Sequence, residues 1–182
     1  MRNVPGIWLT ILAATVLAAG AAGAGETPRV EIVAFGTYAP TAQHGRMPPA
    51  YRQDSIVEVT QTDMPRLIAH TDRIELRPCT RFGLEYRAPG LSAGAVEVAQ
   101  VRVDHPPLTR PDGQRSAVDT YDVPLRGSRG WTGFDFDELW EMVPGTWTFT
   151  LRQAGQVLAR QQFTVVPPPG GEPLQRCTPA IA

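Results

Sequence analysis

VPGTWTFTLRQAGQVLARQQFTV, residues 143–165, carries the pattern that decides the fold. Trp147, Phe149 and Leu151 alternate with Thr146, Thr148 and Thr150. Successive strand side chains point to opposite faces, so this period of two puts one apolar face against a core. Gly155 breaks the run, and Val157, Ala159, Phe163 and Val165 follow on one phase, which predicts a second strand and a hairpin. A hairpin with one apolar face is not stable alone and needs a second sheet to cover it. The stretch therefore predicts a β-sandwich.

The flanking sequence extends this reading. Residues 30–35 (VEIVAF) read as a first strand stopped by Gly36, and the Pro- and Gly-rich residues 39–51 as an irregular crossover. Residues 56–62 alternate Ile56, Glu58 and Thr60 against Val57, Val59 and Gln61, a half-buried strand ended by Met64 and Pro65. Residues 73–77 and 81–87 read as strands separated at Pro78 and Cys79, with Phe82, Leu84 and Tyr86 on one face. In 95–103, Val96 and Val98 sit on one phase and Val101 and Val103 on the other, which predicts a β-bulge near Ala99 and Gln100. His105, Pro106 and Pro107 end that strand; 117–125 is a weaker one interrupted by Pro124, and 127–133 reads as a loop. FDFDELWEM (134–142) predicts a helical turn capped by Asp135 with Glu138 three residues on, stopped by Pro144 and Gly145. The spacing as a whole predicts an all-β sandwich of about seven strands with one short helical turn.

The N-terminus speaks to compartment. Arg2, the apolar run 7–19 and the small residues Ala22, Gly23 and Ala24 predict a signal peptide, 1–24, cleaved on export. The run is shorter than a membrane span, so no stable membrane insertion is expected once it is removed. Residues 26–168 then form one domain, followed by a Pro/Gly-rich tail, 169–182. The only two cysteines, Cys79 and Cys177, are expected to pair in an oxidising compartment and pin that tail to the body. Two cysteines without close spacing are a weak metal signal. Seventeen basic residues, all Arg, balance eighteen acidic ones to a net charge of -1, and no basic run or aromatic-interleaved Arg stripe argues for nucleic acid.

ELWEMVPGTWTFTLRQAGQVLARQQFTV, together with VEIVAFGTY, RFGLEYRAPG and VRVDHPPLTRPDG, resembles an uncharacterised bacterial family of exported proteins known as a domain of unknown function (number 3859). The likeness spans residues 30–166. It implies a small secreted or periplasmic immunoglobulin-like β-sandwich and brings no activity, cofactor or catalytic residue with it.

Several residues carry possible chemistry. Gly90, Ser92 and Gly94 match the G-x-S-x-G nucleophile elbow, but that motif needs a strand-to-helix turn over a parallel sheet, and a strand pattern follows here. A hairpin loop is the better account. His44, His70 and His105 are widely spaced, and only convergence in space would let them hold a metal. Asp135, Asp137, Glu138 and Glu141 cluster at the helical turn, where capping accounts for them better than calcium or acid–base work. Loops at the ends of a sandwich carry binding residues, which singles out Trp131, the 109–115 turn with Arg110, Asp112 and Arg115, and the 39–51 crossover with Tyr38, Arg46 and Tyr51.

The sequence thus predicts a non-catalytic exported module, periplasmic or secreted and without a cofactor. It is expected to recognise another envelope protein through end loops or an edge strand. The alternative is a metal- or small-ligand-binding periplasmic protein using His44, His70 or His105.

Overall fold

The computed structural model describes residues 28–171, apart from Met47, Pro49 and Ala93, together with Gln175 and Cys177. The expected signal peptide, 1–24, and most of the tail lie outside the described residues. The described strands are β1 (Glu31–Tyr38), β2 (Gln43–Arg46), β3 (Gln53–Asp54), β4 (Thr60–Thr62), β5 (Leu67–His70), β6 (Arg73–Glu75), β7 (Arg81–Arg87), β8 (Glu97–Thr109), β9 (Arg115–Leu125), β10 (Arg129–Asp135), β11 (Gly145–Gln153) and β12 (Gln156–Val166). Seven of these, β1 and β7 to β12, are seven residues or longer and form the body of the sandwich. One sheet has the order β10-β7-β1-β5, the facing one β3-β9-β8-β11-β12-β6, and β2 pairs with β4 apart from both. The fold is an immunoglobulin-like β-sandwich.

The β11–β12 hairpin forms as its alternation demands. Trp147, Phe149, Leu151 and Phe163 are fully buried. Ala154 (φ 46°) and Gly155 (φ 81°) make the two-residue turn, whose two positive φ values match the right-handed twist of the strands. Val157 departs from its expected core position and is 57% exposed. A register shift between Leu151 and Arg152 re-phases the end of the hairpin and turns Val157 outward. The core gathers around Phe82, whose ring lies 5.3–6.2 Å from those of Phe134, Phe136, Trp147, Phe149 and Phe163. Such tilted and edge-on contacts suit the quadrupoles of aromatic rings.

Other expectations are corrected. Gly36 does not stop β1; a Cβ there would lie 1.9 Å from the Ala69 carbonyl oxygen, so glycine lets β5 pair closely. No bulge occurs at Ala99 and Gln100. Ala99, Val101 and Val103 keep one inward phase, Val96 and Val98 are exposed, and the shift falls between Asp104 and Leu108. The proline pair therefore bends β8 without ending it. Within 56–62 only Thr60–Thr62 joins a ladder. Residues 127–133, expected as a loop, contain most of β10, and the helical turn is a short 3-10 segment, Leu139–Glu141. Its cap lies three residues later than expected: Glu141 accepts the backbone N–H groups of Asp137 and Glu138, while Asp135 binds Arg81.

Candidate functional site

Between β1 and β5 the chain makes an excursion, residues 39–66, that crosses to the facing sheet and returns. Ala39 N–H donates to the Arg66 carbonyl at its neck. At its far end β3 pairs with Tyr121 and Thr120 of β9. The Arg52 N–H donates to Asp122 Oδ2 at 3.0 Å, and the Asp122 N–H returns to the Arg52 carbonyl at 2.9 Å. Next, Ile56 is buried, its N–H donates to Asp119 Oδ1 at 2.9 Å, and Arg110 donates to its carbonyl at 2.6 Å. The excursion is thus a strap fastened across one open side of the sandwich.

Asp119 is the main fastening. Its other oxygen lies 2.9 Å from His105 Nε2, and His105 Nδ1 lies 2.8 Å from the Pro106 carbonyl. Both partners of the ring are acceptors. Both ring nitrogens of His105 are thus engaged, one by Pro106 and one by Asp119. The imidazole also stacks on Trp147 with centroids 4.9 Å apart, and both side chains of the pair are essentially solvent-free.

Beneath the strap runs a groove of about 620 Å³. Every residue from 57 to 64 and every residue from 128 to 135 lines it. In a strand, side chains on one face would contribute only alternate positions, so the unbroken lining by residues of β10 places the groove along that strand's edge. Among the described residues β10 is the end strand of its sheet, and this edge has no strand partner. Phe134, Val103, Val123 and Tyr121 form an apolar floor, and Tyr121 Oη hydrogen bonds with Thr132 Oγ1 at 2.8 Å. Charge is unevenly spread: Arg126 and Arg129 stand at one end, and Asp135, Asp137, Glu138 and Glu141 at the other.

The outer face of this sheet fixes Trp131 at the groove. Gly36, Gly83 and Gly133 lie in one row across β1, β7 and β10. A Cβ on Gly133 would meet the Trp131 ring at 2.3 Å, so the indole folds over the glycine. Tyr38 meets that ring edge-on at 5.8 Å and the Arg81 guanidinium stacks on it at 5.4 Å. Arg81 in turn clamps Asp135 through two bonds of 2.7 and 2.6 Å, and Arg129 pairs with buried Glu85 at 3.1 Å. Burial, together with the Glu85 charge, pushes the Tyr38 phenol well above its usual range. Among the described residues Trp131 Nε1, Arg81 Nη1 and Tyr38 Oη are buried without a hydrogen-bond partner.

At the acidic end, burial pushes the Glu141 carboxyl up from 4.5 to about 7, with the two N–H bonds it accepts opposing and the carboxylates of Asp137 and Glu138 adding to the rise. Asp137 is raised too, first by desolvation of its carboxyl and then by Asp135. A raised folded-state value means that the native chain binds more protons than the unfolded one between the two values. Stability should accordingly fall as pH rises from about 4.5 to about 7. Glu141 should contribute on the order of 3 kcal/mol to that fall. In Glu141→Gln the drop in urea midpoint over this window should shrink; an unchanged drop would remove Glu141 as its source.

The structure brings one expected binding residue, Trp131, to the groove, on a strand edge where a loop was expected. Arg110 and Asp112 serve their own turn: Arg110 binds Asp112 at 3.3 Å and stacks on Trp140, and the Gln114 N–H holds the Asp112 carboxyl below its usual range. Arg46 pairs with Glu58 at 2.9 Å and shares with Arg110 a second, smaller hollow lined by strap residues. Tyr51 is half-buried on the strap, and Arg115 is exposed at the start of β9. The histidines do not assemble a metal centre. His44 pairs with Asp63 at 2.8 Å, His70 packs on Phe35, and His105 has both nitrogens engaged. Among the described residues no three His, Cys, Asp or Glu side chains are placed to hold a metal. Ser92 lies in the turn before β8, where the Ala95 N–H donates to its carbonyl, and no helix follows it. The Cys79–Cys177 disulfide is formed, and the Cys177 N–H donates to the Asp137 backbone carbonyl at 3.1 Å. The tail is thus anchored beside the acidic end of the groove.

The groove itself was missed in sequence because its wall was read as a loop. The available signal was the alternation of Thr132, Phe134 and Phe136 on one phase with Trp131, Gly133 and Asp135 on the other.

Comparison with known proteins adds the lineage. No curated protein matches the chain. A crystal structure of an immunoglobulin-like protein from Pseudomonas aeruginosa is similar at 22% identity and a TM-score of 0.53, covering 79% of this chain and 100% of that one. At that identity the likeness concerns the fold alone. The sequence pattern of one family, described as a domain of unknown function (DUF3859), matches residues 27–165. With that match spanning most of its length, the chain belongs to the DUF3859 family.

Proposed function

We propose that this protein is a non-catalytic, exported recognition module that binds an extended segment of another envelope protein along the free edge of β10. The observation that carries the reading is the groove walled by two consecutive backbone stretches, 57–64 and 128–135, one of them a strand edge with no partner among the described residues. An incoming strand satisfies backbone donors and acceptors on such an edge while its alternate side chains enter the groove. Export is supported by the disulfide, which belongs to an oxidising compartment, and by the signal-peptide pattern of residues 1–24. Among the described residues no helix is long and apolar enough to cross a membrane.

The test is photo-crosslinking in the intact envelope from Gln61 on the groove wall, with Arg160 on the facing sheet as control. The reading expects one protein captured from Gln61 and not from Arg160, with the crosslink mapping to a single short segment of it. Equal capture from both positions, or none from Gln61, would overturn it.

A further inference from the structure

The two ends of the groove differ in charge, and this bears on what fits it. At the end beyond β10, Asp137 and Glu141 have carboxylates with no ion-pair partner among the described residues. The nearby Arg81 is already clamped in two bonds by Asp135. At the end before β10 stands Arg126, exposed and likewise without an ion-pair partner among the described residues, whereas Arg129 is held by Glu85. The seven residues of β10 separate the two ends by roughly 20 Å, the reach of a strand of similar length. Between them the groove is apolar on the core side, where Val57, Val59 and Phe134 line it.

We propose that the groove selects an extended segment laid antiparallel to β10, with a basic side chain near its N-terminal end against Asp137 and Glu141, and an acidic one near its C-terminal end against Arg126. This rests on the reading of β10 as a strand-accepting edge. Three observations support it. Antiparallel pairing gives the straighter hydrogen bonds, and β7 already pairs with β10 in that sense. The apolar floor favours small apolar side chains at alternate positions of the segment. Finally, Asp137 and Glu141 both line this end of the groove and their carboxyls are both raised, so a cation placed beside them relieves charge that burial and the neighbouring carboxylates disfavour. Charge of this kind fixes the register and direction of a bound strand more than it adds raw affinity.

The experiment uses the mature, disulfide-bonded chain and three fluorescent peptides sharing one alternating core: Lys-Thr-Val-Thr-Val-Thr-Glu, the same peptide with its two charged residues exchanged, and one with Ser at both ends. At low salt the first should bind about tenfold more tightly than the second, with the third between them. The preference should fall to about twofold or less in roughly 0.5 M salt. It should also be lost in the double variant Asp137→Asn, Arg126→Gln, whose thermal midpoint should be no lower than the parent's, because neither side chain is in the core and the Asp137 charge is disfavoured in the folded protein. Equal binding of all three peptides would overturn the charge selection and leave the strand-accepting edge standing. Tighter binding of the exchanged peptide would overturn the antiparallel placement. If none binds, the strand-accepting reading fails and this inference with it.

Discussion

Replacing Asp119 by alanine should destabilise the folded chain by about 3–5 kcal/mol, because it leaves two buried polar partners unsatisfied at roughly 1–3 kcal/mol each. The carboxylate joins three parts of the molecule. It receives the Ile56 N–H from the strap, pairs with His105 of β8, and stands on β9. Alanine would leave the His105 ring, solvent-free and stacked on Trp147, without its partner, and would leave the Ile56 N–H unsatisfied. Urea unfolding should register the loss, and hydrogen exchange should show faster exchange at residues 55–62 than elsewhere. A loss below about 1 kcal/mol would mean that the pair is not the strap's main fastening.

The second large effect concerns the disulfide. Cys79 and Cys177 are 98 residues apart in sequence, so the bridge closes a long loop in the unfolded chain. Changing both to serine should lower stability by about 4–5 kcal/mol in the chain-entropy picture. The damage should concentrate where the bridge is anchored: the Cys79 N–H donates to the Phe136 carbonyl and the Cys177 N–H to that of Asp137. Faster amide exchange around 134–138 should accompany the lower urea midpoint. A double variant as stable as the parent would place the contribution of the bridge elsewhere, in holding the tail alone.

Much of the fold was legible because the core strands alternate cleanly. The 143–165 hairpin, β7 and the Cys79–Cys177 pair could be read from period, turn residues and cysteine count. The errors share a cause. Val96 and Val98 are apolar yet exposed, and Val157 lies beyond a register shift, so hydrophobicity alone gave each the wrong face. β10 was hidden by its glycines. Gly130 and Gly133 look like loop residues locally, but Gly133 gives Trp131 its resting place, and a Cβ on Gly130 would strike Tyr86. That requirement exists only once β1, β7 and β10 are side by side.

The candidate site was less legible for the same reason. Trp131 could be singled out as a large aromatic among polar neighbours, but the groove beside it is made by two stretches at least 64 residues apart in sequence, 57–64 and 128–135, which no local pattern relates. The histidines illustrate the converse. His105 looked like a possible ligand until the structure gave both its nitrogens to Asp119 and Pro106.

The claim that β10 accepts a strand is tested most directly by amide hydrogen exchange of the protein with and without the envelope-protein segment captured from Gln61, supplied as a synthetic peptide. Strand addition predicts slower exchange confined to residues 128–135 and the facing stretch 57–64. Slowing confined to the 109–115 turn, or no slowing under saturating peptide, would contradict it.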